Sequence, residues 1–207
     1  MKKPMLTFCI SILLAATGLA QTETKGMARV SKMQGVEMYA MCEPVRPYEV
    51  LFSMNTGVKA GSVFSGGLVN EGVSDKLSQF VKRVMKEAEK KNQQVDAILY
   101  TSGKDAAAIK FKTESTAETK GLAKAAKLNG YEVYVMSEPV RDYETVVDVS
   151  TGAKAKSYIT GGLVNNSIEE DISQYVNRAE KEAREERKKI DAVVYTGGKR
   201  AIGVKFK

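Results

Sequence analysis

Moved 95 places along itself, this chain reads much the same text again without a gap. Glu23-Thr24-Lys25-Gly26 returns as Glu118-Thr119-Lys120-Gly121, Glu43-Pro44-Val45-Arg46 as Glu138-Pro139-Val140-Arg141, and Lys110-Phe111-Lys112 as Lys205-Phe206-Lys207. From Gly26 onward about 40 of about 87 positions are identical, far above chance, so two tandem copies of one unit are expected. The expected division is 1–20 as a signal peptide, 21–112 as the first α+β copy, 113–119 as a polar linker and 120–207 as the second copy. Each copy is long enough for a modest core of its own. Each is therefore expected to bury its own helix against its own sheet, with some relative motion of the halves unless their sheets pack or pair.

The N-terminal twenty residues differ in character from the rest. Lys2 and Lys3 precede an apolar run over 6–14, and Gly18-Leu19-Ala20 offers small residues to a signal peptidase. That run is too short to span a bilayer as a helix. Export to the periplasm or beyond is expected, with Gln21 opening the mature chain and no transmembrane segment after cleavage. With Lys2 and Lys3 gone, 30 basic residues face 25 acidic, a mildly basic balance compatible with an anionic envelope ligand. Histidine is absent, which removes the usual general base and the commonest transition-metal ligand. Cys42 is the one cysteine outside the signal, and Ser137 stands at its repeat position, so no internal disulfide is expected. A buried bystander thiol is favoured over a disulfide-linked dimer.

Both copies give one reading of local structure. Residues 36–41 and 131–136 alternate in the strand period, whereas 26–35 and 121–130 fit either a short helix or a hairpin turning at Gln34-Gly35 and Asn129-Gly130. Pro44 and Pro47 break the ladder before a strand over 48–54, and Thr56-Gly57 and Thr151-Gly152 fit turns into third strands near 62–65 and 157–160. The helix signal is stronger. Leu77, Phe80, Val81, Val84 and Ala88 share a face, matched by Ile172, Tyr175, Val176, Ala179 and Ala183, and Ser167 with Glu170 spells a capping box. Strands over 95–100 and 106–112 follow. The expected class is α+β: two repeats, each a mainly antiparallel sheet with one amphipathic helix on one face, in the order strands, helix, strands.

Within this frame the most retained polar element is Glu-Pro-Val-Arg-x-Tyr-Glu. It supplies the candidate binding residues Glu43, Arg46, Tyr48 and Glu49, and Glu138, Arg141, Tyr143 and Glu144. Its guanidinium could hold an anionic or carbohydrate ligand. The structural alternative is a turn in which Arg46 and Arg141 pair with their own neighbouring glutamates while the tyrosines pack on the sheet. Gly66-Gly67 and Gly161-Gly162 precede helices but lack the Lys-Ser/Thr of a P-loop, so they read as turn glycines. Asp96 and Asp191 read as caps of local backbone. Met38, Met41, Cys42 and Met54 could suggest soft-metal binding, yet the second copy keeps only Met136, so core packing is favoured. Tyr39, Tyr100, Tyr134 and Tyr195 lack the basic aromatic submotifs of RNA-binding sheets, and nucleic acid is not expected.

The string Arg46-Pro47-Tyr48-Glu49-Val50-Leu51, followed by Ala88-Glu89-Lys90 and Val95-Asp96-Ala97-Ile98, resembles the small bacterial domains of the YbjQ-like heavy-metal-binding and RcsF-like stress-sensor families. The chain departs from their pattern in having Phe52 where a glycine follows the first strand, and in lacking the cysteine pairs of the sensor. The resemblance implies a compact α+β envelope domain and carries metal binding onto no residue here. The function expected is that of a non-catalytic envelope or periplasmic binding or assembly protein, working without cofactor on a protein or an anionic envelope ligand, with homo-oligomerisation open. Two alternatives are a hydrolase using the Glu/Arg/Tyr cluster and a carrier of a small ligand or metal.

Overall fold

The computed structural model describes residues 24–55, 73–100, 105–112, 119–150 and 167–207. The signal segment, the third strands near 62–65 and 157–160, the double-glycine turns and nearly all of the linker lie outside them. The fold is α+β, a large, mostly antiparallel sheet with two helices. The first half contributes β1 (Met27–Val30), β2 (Lys32–Met33), β3 (Val36–Ala40), β4 (Cys42–Pro44), β5 (Tyr48–Asn55), α1 (Val73–Lys90), β6 (Ala97–Tyr100) and β7 (Asp105–Phe111). The second contributes β8 (Leu122–Leu128), β9 (Tyr131–Val135), β10 (Ser137–Pro139), β11 (Tyr143–Ser150), α2 (Ile168–Glu185), β12 (Ala192–Gly197) and β13 (Arg200–Phe206).

The segments open to two readings form hairpins. Gln34 and Gly35 have φ of 53° and 90°, and Asn129 and Gly130 of 53° and 88°, the paired left-handed geometry of a tight two-residue turn. Strands β3 and β9 end as the next residue, Met41 or Met136, enters the left-handed region at φ 53°. That kink sends β4 and β10 out of the main sheet. Both helices bury the stripe read from the sequence, with Leu77, Val81 and Val84, or Ile172, Val176 and Ala179, at most 1% exposed. Full burial of such side chains is worth about 1.5–3 kcal/mol each for the larger ones. The Ser167 hydroxyl accepts from Glu170 N–H, and the Glu170 carboxylate accepts from Ser167 N–H, completing the capping box.

In the main sheet each half runs β5-β7-β6-β3 or β11-β13-β12-β9, with β3–β6 and β9–β12 parallel and the remainder antiparallel. The halves meet where Ala40 pairs with Val135. A second, four-stranded sheet exchanges strands between them: β1 lies between β10 and β8, and β4 pairs with the other side of β8. Its registers are self-complementary. Ala28 faces Ala123, its own repeat position, while Arg29 faces Glu138 and Lys124 faces Glu43. The cross-half pairs thus obey a local two-fold relation.

This exchange corrects the expectation of two self-sufficient cores. Each helix does lie on strands of its own half, but one helix-side cluster joins Val36, Met38 and Leu77 to Val133, Val147 and Ile172. A second cluster, on the other face, joins Ala28, Val30 and Ala123 of the exchange sheet to Tyr39, Leu99, Tyr134 and Val194. The main sheet is therefore covered on both faces, which explains why every residue of β3 and β6 is buried. Among the described residues, no helix is long and apolar enough to cross a membrane.

Candidate functional site

Each half builds one polar cluster on the exchange-sheet side of the fold. In the first, Glu37 projects from β3 and is buried. Arg46, arriving after β4, places Nη2 at 2.6 Å from Glu37 Oε2, and the Tyr39 hydroxyl donates to the same oxygen at 2.7 Å. The guanidinium carbon stacks 3.5 Å above the Phe111 ring centroid, and that ring meets Tyr39 edge-on. The second half repeats this with Glu132, Arg141, Tyr134 and Phe206: Arg141 Nη2 lies 3.1 Å from Glu132 Oε2, Tyr134 donates at 2.7 Å, and the stacking distance is again 3.5 Å. Asp96 and Asp191 accept from the backbone N–H of Phe111 and Phe206, each at 2.9 Å, so they anchor the strands that carry the rings.

These contacts explain the electrostatics. Burial first, then the hydrogen bond to an adjacent carboxylate, pushes the Tyr39 and Tyr134 phenols well above their ordinary range, so both remain donors. Among the described residues, Nε of Arg46 and of Arg141 is buried without an acceptor, as is Ser137 Oγ.

The clusters differ in access. In the first, 8% of the Arg46 side chain is exposed; in the second, 23% of Arg141 is, and its ion pair is longer. Arg141 opens onto a cavity of ≈ 330 Å³ lined by Lys25, Lys127, Gly130, Glu132, Asp191 and Phe206. Lys127 is carried opposite Glu132 on the β8–β9 ladder. Lys25 comes from the other half, where the Lys25-Gly26 turn passes so close that a Cβ on Gly26 would lie 3.9 Å from Glu132 Oε1. The exchange of strands therefore completes the cleft, adding Lys25 to six residues of the second half.

The eight residues singled out from the sequence do not form one site. Arg46 and Arg141 anchor the two clusters. Glu43 and Glu138 are exposed on the exchange sheet opposite Lys124 and Arg29. Glu49 and Glu144 are exposed on β5 and β11 opposite Lys110 and Lys205, while Tyr48 and Tyr143 pack half-buried on the exchange-side core. The carboxylates that pair with the arginines, Glu37 and Glu132, lie nine residues upstream and were not anticipated, nor were Lys25, Lys127 and the stacked phenylalanines. One signal was available: a glutamate inside an otherwise apolar strand, at the same place in both copies.

Met38 and Met41 belong to the helix-side core and Cys42 to the opposite one, so they face different layers. Burial pushes the Cys42 thiol up to about 12. Compared with known proteins, the chain matches no family model, no curated protein and no solved structure.

Proposed function

We propose that this is an exported, non-catalytic binding protein of the bacterial envelope or periplasm that takes a small oxyanion, a carboxylate, sulfate or phosphate group, in the cleft at Arg141. The observation that carries the reading is the convergence of three cations, Lys25, Lys127 and Arg141, on one cavity whose two carboxylates already have donors. Glu132 accepts from Tyr134 and from Arg141 Nη2, and Asp191 accepts from Phe206 N–H. Among the described residues, neither lysine makes an ion pair, and a guanidinium has five N–H donors in a fork of which Glu132 engages one nitrogen. The cavity has the lower size of a small-molecule site.

A non-catalytic role is supported by the fixed state of these groups. The tyrosines are held as donors, and the buried glutamates are tied to arginine and phenol, an arrangement suited to rigid recognition rather than proton transfer. The test is calorimetric titration of the purified protein with sulfate, phosphate and citrate, alongside the Lys25→Gln/Lys127→Gln double variant. Both lysines are exposed, so the variant should fold as the parent does. Saturable binding weakened at least tenfold in the variant is the expected result; binding indifferent to both substitutions would overturn the site. Turnover in a broad hydrolase screen, abolished by Glu43→Gln or Glu138→Gln, would overturn the non-catalytic reading.

A further inference from the structure

We infer that the first half holds a second site for the same class of anion, built from Lys32, Arg46 and Lys120 around Glu37, Asp96 and Phe111, with Lys120 supplied by the other half. The inference rests on the reading of the Arg141 cleft. All seven residues at that cleft, Lys25, Lys127, Gly130, Glu132, Arg141, Asp191 and Phe206, recur identically 95 places away as Lys120, Lys32, Gly35, Glu37, Arg46, Asp96 and Phe111. Fewer than half of all positions do so, and two of the seven are exposed lysines with no packing role to preserve them.

Chain crossing supports the same assignment. The turn carrying Lys25 is fixed to the second half by Ala125 N–H donating to Gly26 O at 2.8 Å and Val140 N–H donating to Met27 O at 3.0 Å. The turn carrying Lys120 is fixed to the first half by the equivalent bonds, Val30 N–H to Gly121 O at 2.8 Å and Val45 N–H to Leu122 O at 3.1 Å. Lys32 sits opposite Glu37 on the β2–β3 ladder as Lys127 sits opposite Glu132. The arginine stacks at the same 3.5 Å in both halves. Two things differ: Arg46 is more deeply buried than Arg141 and its ion pair is shorter, and a Cβ on Gly121 would meet Val30, at 3.6 and 3.8 Å, where one on Gly26 meets Glu132. The two sites are therefore of unequal strength, the first being the weaker.

The experiment is an amide NMR titration of the labelled protein with sodium sulfate, inorganic phosphate and citrate, with sodium chloride at matched ionic strength as control. Gly35 and Gly130 report the two sites. The expected result is that both amides shift saturably, Gly35 with the higher midpoint. Lys120→Gln should weaken the Gly35 response at least fivefold and leave Gly130 unchanged, and Lys25→Gln should do the converse. A response at Gly130 with none at Gly35 removes the second site and leaves the Arg141 cleft standing. A Gly35 response indifferent to Lys120→Gln overturns the cross-half assembly, and silence at both glycines removes the anion reading itself.

Discussion

Where α1 meets α2, the local two-fold brings two equivalent positions face to face, and they carry opposite charges. Lys76 is the fourth residue of α1 and Asp171 the fourth of α2, 95 places apart, with Nζ 2.6 Å from Oδ2 and 17% and 23% of the side chains exposed. At that distance an effective dielectric of about 20 gives a Coulomb attraction of about 6 kcal/mol before desolvation. Exposed pairs retain about 0.2–1 kcal/mol of such attraction, and breaking fully buried ones costs about 3–5. A pair of intermediate burial should then be worth about 1–3 kcal/mol. Lys76→Asp loses this and adds carboxylate repulsion across the axis, offset by about 0.3–1 kcal/mol from placing an acid in the first turn of α1. The net expected loss is about 2–3 kcal/mol, which for a protein of this size lowers Tm by roughly 5–10 °C.

The charge-swapped variant, Lys76→Asp with Asp171→Lys, is the decisive member. It restores the pair in reverse and trades one favourable helix N-terminus for another, so it should lie within about 1 kcal/mol of the parent; with each single reversal losing at least about 2–3 kcal/mol, the coupling in the double-mutant cycle should be about 4–6 kcal/mol. Urea unfolding followed by circular dichroism measures all four proteins. Because both halves share one core, a single transition with unchanged slope is expected throughout. Additivity of the two single substitutions within about 0.5 kcal/mol would refute the reasoning, since it would mean that the helices do not read each other's charge at the axis.

Three further outcomes follow from the same geometry. Arg46→Ala leaves the buried Glu37 without its cation, held by the Tyr39 hydroxyl, and should cost about 3–5 kcal/mol, whereas Arg141→Ala, at a more open pair, should cost visibly less; equal losses in urea unfolding would contradict the difference in burial. Burial raises the Tyr100 phenol from 10.0 to about 12 and the Cys42 thiol from 9.0 to about 12, so the folded state binds more protons than the unfolded one at high pH. Stability from these groups is whole below about pH 9 and is lost as pH climbs toward 12, and Cys42 should resist iodoacetamide at pH 8 until denaturant is added. Gly203→Ala adds a single methyl where it would meet Val147 Cγ2 at 2.6 Å and Ile190 Cγ2 at 3.0 Å, and should cost about 1–3 kcal/mol by thermal melt, even though Ala108 fills the same place in the first half.

The elements that could be read from the residues are those whose signal is local. The helix stripes, the Ser167 capping box, the strands around Tyr39 and Tyr134 and the breaks in the ladder after Pro44 and Pro139 all follow from spacing or from a fixed φ. Asp96 and Asp191 do accept from backbone, as their residue type suggests, but from Phe111 and Phe206 fifteen residues on rather than from local groups. The hairpins at Gln34-Gly35 and Asn129-Gly130 were half legible: Asn-Gly favours that turn, but the alanines of 122–128 favour a helix, and tertiary pairing of β8 with β1, β4 and β9 outweighs their propensity. Which half a strand pairs with has no local signature. β1 joins β10 and β8 through backbone bonds that any sequence can make, so nothing in residues 27–30 names the half they pair with.

The site was obscured by the same non-locality. Arg46 and Glu43 are near neighbours in sequence, but on β4 the side chain of Glu43 turns to solvent opposite Lys124 while the arginine turns inward to a glutamate on the preceding strand. A buried glutamate in an apolar strand needs a cation and a second donor to be tolerated, and the chain holds one arginine and one tyrosine per copy within reach. Strand exchange then does what neither copy could do alone: it lays the Lys25-Gly26 turn of one half over the Glu132 of the other. A fused pair of repeats can thus be held together and given its recognition surface by one set of crossing strands. Any change that weakens the exchange, such as reversing Arg29 opposite Glu138, should therefore loosen the fold and the Arg141 cleft together rather than one without the other.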